Sequence, residues 1–154
     1  MYDQLRYYAT MHLLTISPDQ IFSALADATR IRILRLLVTT NDEACLCDLA
    51  DSLEEPVYKL SRHLKVLRQV GLLSAEKDGK WIYHRVTQDT PVMKSLHRLI
   101  GELPDTDQTF QSDESRFLKL KNARKRERCR QGDGKVKSPG RRGEMDRPRA
   151  SSLR

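Results

Sequence analysis

The chain has 154 residues, a formal net charge of +7 and three cysteines, and no apolar run approaches the ~20 residues that span a bilayer. These values fit one modest domain, exclude a disulfide framework, and predict a cytoplasmic protein with free thiols and no membrane partner. Residues 114–154 hold 15 Lys/Arg and 5 Asp/Glu, a net of +10, whereas residues 1–113 hold 13 and 16, a net of −3. Nucleic-acid binding by the first 113 residues would therefore need a local basic patch.

The first predicted elements are helices. Residues 2–13 have the spacing of an amphipathic helix. Ser17 and Pro18 are typical of a helix start, as the N-cap and the first helical residue. The apolar run over residues 21–38 then predicts that this helix breaks near Asp27 and that another helix follows the break.

The middle of the chain predicts a helix-turn-helix followed by a hairpin. Apolar spacing over residues 46–53 predicts a short helix, and Pro56 suits the first position of a second helix, which Gly71 ends. Residues 77–80 (Lys-Asp-Gly-Lys) lie between β-rich runs, which is a strong hairpin signal, and Trp81 is expected to pack at the base of that hairpin. The predicted fold is mainly α with a β-hairpin, a winged helix-turn-helix.

The second helix of this unit fits a DNA major groove, because one of its faces is polar and basic. Arg62 is the strongest candidate for a base contact, since a guanidinium can bind guanine through two hydrogen bonds. Each charge taken alone is more often part of a solvated face, but the adjoining hairpin favours the DNA-binding interpretation. The predicted DNA-binding residues are Tyr58, Lys59, Ser61, Arg62, His63 and Lys65 on the helix, and Lys77 and Lys80 at the hairpin tip.

The C-terminal part begins with a helix at Thr90-Pro91, whose apolar stripe runs from Val92 to Leu103. Periodicity alone leaves two interpretations open, a dimer contact and packing on the chain's own core. Three segments are predicted: a winged-helix DNA-binding and dimerisation domain (1–104), a linker that can form a basic helix (105–131), and a basic disordered tail (132–154).

Cys45 and Cys47 precede the helix-turn-helix and pose a geometric problem. Residues i and i+2 of a helix lie about 200° apart around its axis, given roughly 3.6 residues per turn. In an extended segment the same two residues point the same way. If both thiols bind one ion, the first helical turn there must be absent or must give way.

Six motifs follow one another over about residues 20–103: Leu25–Leu34, Cys45–Leu49, Ser61–Leu64, Leu67-Arg68, Gly71–Leu73 and Gly79–Tyr83. In this order they resemble the ArsR/SmtB family of metalloregulatory repressors. The resemblance implies a homodimeric winged-helix repressor that binds double-stranded operator DNA at an inverted repeat and leaves it when a metal or metalloid binds. It implies no cofactor and no enzymatic activity.

The cysteine pair resembles the arsenic- and antimony-sensing branch of that family, so the resemblance implies As(III) or Sb(III) as the effector, bound by thiolates. A third cysteine commonly follows three residues after the pair, where this chain has Ala50. Three outcomes are open: a buffer thiol or hydroxide completes the ion, Cys129 is the third ligand, or Cys129 is a bystander. We favour the pair alone and keep Cys129 as a candidate ligand.

Other functions receive less support. Asp89 and His97 match part of a second family metal site, but Pro91 and the position of Glu102 argue against zinc there. The sequence shows no catalytic motif. Two alternatives are retained: a repressor of the same fold that senses another soft ion or a redox signal through the cysteines, and a nonspecific architectural nucleic-acid-binding protein driven by the basic tail.

Overall fold

The computed structural model describes residues 17–132, with side chains described as far as Arg124. The helix predicted over residues 2–13, the tail after residue 132 and the Cys129 side chain lie outside the described part. The elements are α1 (Pro18–Leu25), α2 (Ala28–Thr40), β1 (Ala44–Cys45), α3 (Leu46–Leu53), α4 (Val57–Gln69), β2 (Leu73–Asp78), β3 (Trp81–Val86), α5 (Pro91–Glu102) and α6 (Thr109–Gly132).

Local backbone chemistry sets the first two helix starts as predicted. Ser17 is the extended N-cap of α1, and Pro18 is its first helical residue. The break near Asp27 is the N-cap of α2, where the Asp27 carboxylate accepts a hydrogen bond from the Arg30 backbone N–H at 3.0 Å. α2 continues to Thr40 and ends at Asn41, which adopts a left-handed conformation (φ 47°).

The helix-turn-helix consists of α3 and α4. Pro56 is the N-cap of α4 and not its first helical residue, which is a small correction to the prediction. Gly71 ends α4 as predicted, with φ 71°. The Gly71 N–H donates to Arg68 O at 3.0 Å and the Leu72 N–H to Leu67 O at 2.9 Å, the hydrogen bonds of a Schellman motif.

The wing is an antiparallel sheet of three strands in the order β1-β3-β2. Asp78 pairs with Trp81, so the hairpin turn contains only Gly79 and Lys80. Lys77 lies within β2 and not in the turn, and Trp81 lies at the tip of the wing and not at its base. The sequence did not predict β1, a two-residue strand that pairs Cys45 with Tyr83. The winged helix-turn-helix is confirmed.

The core lies between the helices and the root of the wing. Its fully buried side chains come from every layer of the fold: Ile33, Leu34 and Leu37 of α2, Leu49 and Leu53 of α3, Leu60 and Leu67 of α4, Leu72 before β2, and Met93 of α5. Phe117 of α6 is also completely buried. The division of the chain at residue 104 stays a prediction, but α6 contributes to the core rather than lying apart from it.

The apolar stripe of α5 divides between two environments. Met93 and Ile100 are buried against the core, whereas Val92 is 67% exposed and Leu99 is 58% exposed. Packing on the chain's own core therefore explains only part of the stripe. Within residues 17–132, no helix is both long enough and apolar enough to cross a membrane.

Candidate functional site

The helix α4 has one buried and one exposed face, as its sequence periodicity predicts. Leu60, Leu64 and Leu67 are buried, which turns the opposite face outward. Tyr58 is 69% exposed, and the other exposed candidates on this face are Ser61, Arg62 and Lys65. This exposed face has the size and chemistry to enter a major groove.

Two of the proposed DNA-binding residues have partners within the fold. The Lys59 ammonium lies 2.9 Å from the Glu55 carboxylate, which also lies 3.5 Å from the Arg32 guanidinium. The half-buried His63 ring places Nδ1 at 3.6 Å from the Asp27 carboxylate. These contacts join the start and middle of α4 to the turn before it and to the N-cap of α2, so both side chains support the position of the helix.

The wing exposes the other two candidates. Lys77 and Lys80 are both exposed, and the Lys80 ammonium lies 5.2 Å from the centroid of the Trp81 ring. Trp81 is 41% exposed. The tip of the wing therefore carries positive charge beside a partly exposed indole.

The helix α3 begins between the two cysteines. Cys45 is its extended N-cap (φ −81°, ψ 166°) and also the last residue of β1, whereas Cys47 is the second residue of the helix. The Cys45 backbone N–H donates to Asp48 Oδ2 at 3.2 Å, as in a capping box. One thiol thus lies outside the first helical turn and the other within it. Only this first turn of α3 would have to change for both thiols to bind one ion.

The surroundings of Cys45 couple its thiol to α6. Cys45 is 3% exposed, and the Arg124 Nη1 group donates to its Sγ at 3.8 Å. Arg124 also forms an ion pair with the carboxylate of Asp48, which is 1% exposed. Burial raises the pKa of the Cys45 thiol; the hydrogen bond from Arg124 acts in the opposite direction without outweighing it.

Both cysteines border one cavity of about 300 Å³ between the two DNA-binding elements. On one side it is lined by Ser61, Leu64 and Arg68 of α4, and on the other by Lys80, Trp81, Ile82 and His84 of the wing. A ligand that enlarges or distorts this cavity would therefore act on α4 and the wing together.

Comparison with known proteins identifies the family. Residues 27–75 match the family model described as bacterial regulatory protein, arsR family. Over 107 residues the chain is 33% identical to the arsenic resistance transcriptional regulator ArsR2 of Pseudomonas putida, and the match covers 70% of this chain and 89% of that protein. The chain belongs to the arsR family. The family consists of transcriptional regulators, not enzymes, so the resemblance noted from the sequence motifs is confirmed.

Two other relatives match over shorter spans. The arsenical resistance operon repressor of Escherichia coli K12 is 45% identical over 74 residues, which are 48% of this chain and 62% of that protein. The cadmium resistance transcriptional regulatory protein CadC of Listeria innocua is 37% identical over 70 residues, which are 46% of this chain and 58% of that protein. The chain thus spans less than two thirds of each of these relatives.

The donor set of this arsR-family chain suits a soft ion through its two thiols. Among the side chains that the structure describes, no three from His, Cys, Asp and Glu are grouped closely enough to hold a metal ion. Cys129 lies on the α6 backbone, and its role as a ligand stays a prediction. His97 is buried on α5, and burial lowers its pKa.

Sequence reasoning missed two residues of the thiol site. The sequence alone assigns no role at this site to Asp48 or to Arg124. A signal for Arg124 was present, because Asp113, Phe117 and Arg124 recur at steps of four and seven residues, the spacing of one helix face. That spacing indicates a helix packed on the fold rather than a solvated one.

Proposed function

We propose that this protein is a transcriptional repressor that binds operator DNA as a homodimer and leaves it when trivalent arsenic or antimony binds Cys45 and Cys47. The observation that carries the proposal is the cavity that the two thiols share with α4 and the wing. The cavity supports the proposal because Cys45 and Cys47 border it together with the two elements that we propose to contact DNA.

The DNA-binding part of the proposal rests on the exposed residues of α4 and the wing. Residues 1–113 carry a net charge of −3, so a uniform field would repel DNA and a local patch must attract it. Arg62 and Lys65 on α4, with Lys77 and Lys80 on the wing, supply that patch. Arg62 is the proposed base contact and the lysines are proposed phosphate contacts.

The homodimer is supported by apolar side chains that the fold leaves uncovered. Val92 and Leu99 of α5 are more than half exposed, and so is Phe22 of α1 (66%). Exposed apolar side chains of this size on two helices are typical of an interface between subunits. A two-fold dimer would carry two copies of α4, which suits an inverted-repeat operator.

The chemistry of the effector follows from the thiols. When a cysteine thiol binds arsenous acid, a sulfur–arsenic bond forms, an arsenic–oxygen bond breaks, and the displaced hydroxyl leaves with the thiol proton as water. Two such exchanges at Cys45 and Cys47 require both sulfurs to reach one atom, although Cys47 lies within α3. We propose that the first turn of α3 unwinds to allow this, which moves α4 and the wing. A buffer thiol, a hydroxide or Cys129 completes the coordination.

Cadmium is the second candidate effector. The matching relative from Listeria innocua is named a cadmium resistance regulator, and the same thiols suit that soft ion. Titrating one protein–DNA complex separately with arsenite, antimonite, cadmium and peroxide would separate the metalloid, metal and redox alternatives.

The test uses a fluorescent DNA duplex obtained by selection from a random pool. The double variant Cys45→Ser/Cys47→Ser should bind this duplex with the affinity of the wild type but should not release it on addition of arsenite. Cys129→Ser tests the third coordination position: it should still release the duplex where a buffer thiol or a hydroxide completes the ion, and should fail to release it where Cys129 is the third ligand. Normal arsenite-dependent release by the double variant would refute the proposed site. Loss of all selective binding after truncation at residue 132, which keeps α6 and its core contacts, would favour the alternative in which the basic tail binds nucleic acid nonspecifically.

A further inference from the structure

Contacts at three heights hold the described part of α6 against the rest of the fold; the middle one joins the Lys121 ammonium to Glu43 O at 2.6 Å and to the Asp42 carboxylate at 3.2 Å, and the other two are compared below. The first, which we call the anchor, consists of Asp113, Arg116 and Phe117 of α6 with Arg32 of α2. The second, which we call the clamp, consists of Arg124 of α6 with Asp48 and Cys45 at the start of α3. Arg124 follows Phe117 by about two helical turns, so the two sets lie at different heights along α6.

The anchor is made of ion-paired side chains and one buried aromatic ring. Asp113 is 1% exposed, and its two carboxylate oxygens each lie 2.8 Å from a nitrogen of the Arg32 guanidinium. Arg116 donates to the same carboxylate at 2.7 Å. Phe117 is completely buried beside them. None of these contacts involves a group that a thiophilic ion would bind.

The clamp includes a group that such an ion would bind. Arg124 contacts both the Asp48 carboxylate and Cys45 Sγ. A bond from this sulfur to arsenic replaces its proton with a much larger atom and changes the position and electron density of the sulfur that Arg124 contacts. The contact between Arg124 and Cys45 therefore depends on whether the sulfur is ligated.

We infer that Arg124 is a positioning residue of the thiol site, and that ligation of Cys45 displaces it and releases the turn of α6 at Arg124 from α3. This inference rests on the proposed function, because it takes Cys45 to be an effector ligand. It makes α6 a second element, besides α3, whose packing depends on the effector. The anchor keeps the start of α6 in place, so the release is local.

The charge of Asp48 strengthens the coupling. Its carboxylate is buried and has Arg124 as its ion-pair partner, and it also accepts the Cys45 backbone N–H. Displacing Arg124 leaves a buried negative charge at the first turn of α3, which is costly in a poorly solvated site. The same event would therefore loosen α6 and destabilise the helix start that must change for both thiols to bind.

The experiment is hydrogen exchange by mass spectrometry on the full chain, with and without arsenite. Peptides over residues 118–124 report the clamp, and peptides over 109–117 report the anchor as an internal reference. In the wild type, arsenite should speed exchange at 118–124 about tenfold and leave 109–117 unchanged, because charge-assisted hydrogen bonds that hold the segment are lost. Unchanged exchange at 118–124 in protein whose mass shows bound arsenic overturns the inference.

Three variants test the role of Arg124. Arg124→Gln should show the faster exchange at 118–124 without arsenite and little further change with it. Arg124→Lys keeps the positive charge and should restore much of the protection. Lys119→Gln makes the same charge change at an exposed position of α6 and should behave as the wild type. Equal exchange in Arg124→Gln and Lys119→Gln also overturns the inference.

A second reagent separates failure of the inference from failure of the proposed function. If the mass shows no bound arsenic, the proposed effector is wrong, and iodoacetamide then occupies the sulfur instead in a Cys47→Ser/Cys129→Ser background. The Cys45 thiolate attacks the reagent's carbon, a sulfur–carbon bond forms and iodide leaves. Alkylated protein should show faster exchange at 118–124. Unchanged exchange in the alkylated protein refutes the clamp whatever the natural effector is.

Discussion

The anchor and the clamp are both built from an arginine on a buried aspartate, yet they differ in what can break them. Arg32 engages both carboxylate oxygens of Asp113, and neither group is one that a thiophilic ion would bind. Arg124 shares its guanidinium between Asp48 and a thiol whose chemistry can change. The anchor is therefore a permanent contact, whereas the clamp responds to the state of one sulfur.

The difference also divides the expected costs of mutation along α6 between stability and regulation. At the anchor, a substitution removes buried apolar area or a buried ion pair, which lowers global stability. At the clamp, the Arg124 side chain is 38% exposed, so water can replace part of what it loses. Substitutions at the clamp should therefore cost less global stability and affect the response to the effector more.

The largest effect is expected at Phe117. Phe117→Ala should lower the free energy of unfolding by about 4 kcal/mol, because it removes a completely buried aromatic side chain and leaves a cavity. Leu118→Ala is the matched control on the neighbouring, 46% exposed residue and should cost less than about 1 kcal/mol. Urea denaturation followed by circular dichroism measures both, and equal costs would mean that α6 does not pack as described.

The second effect is expected at the ion pair of the anchor. Asp113→Asn should lower the free energy of unfolding by about 3 kcal/mol, because it leaves the Arg32 guanidinium without its buried counter-charge. Asp89→Asn makes the same change at an exposed position and should cost little. If the two variants unfold at the same urea concentration, the anchor contributes no net stability.

A smaller effect is expected at the clamp. Asp48→Asn keeps an acceptor for the Cys45 backbone N–H but removes the charge that pairs with Arg124. The cost should be about 2 kcal/mol, within the usual range for hydrogen bonds to charged groups. Asp51→Asn, an exposed change one turn later in α3, is the control for urea denaturation. A cost at Asp48 as large as that at Asp113 would remove the distinction between clamp and anchor.

Features that depend on adjacent residues were predicted from the sequence better than contacts between distant residues. Helix starts and turns depend on a few adjacent residues, so Ser17-Pro18, Thr90-Pro91 and Gly71 were placed correctly from local backbone preferences. The exposed face of α4 follows from the spacing of Leu60, Leu64 and Leu67, which is also local.

Contacts between distant parts of the chain could not be predicted in this way. Arg124 lies 79 residues from Cys45, and its spacing from Phe117 places it on a packed helix face without identifying the partner across that face. For the same reason the contact of His63 with Asp27 could not be read from the sequence, and the DNA-binding role of His63 stays a prediction. Trp81 lies at the tip of the wing because the turn contains two residues, whereas the sequence predicted a turn of four.

The smallest effect concerns alkaline pH and tests the clamp through its thiol. Burial raises the pKa of Cys45 in the folded protein, so above the ordinary thiol pKa of 9.0 the unfolded chain loses this proton while the folded protein still holds it. The stability that Cys45 contributes is therefore complete below that pH and is lost as the pH rises through the folded-state value. Urea denaturation between pH 8 and pH 10 should show a shallower decline for Cys45→Ser than for the wild type, as read against Cys47→Ser. Identical declines in all three proteins would mean that the Cys45 thiol ionises equally easily in the folded and unfolded chain, and that its burial beneath α6 has no energetic consequence.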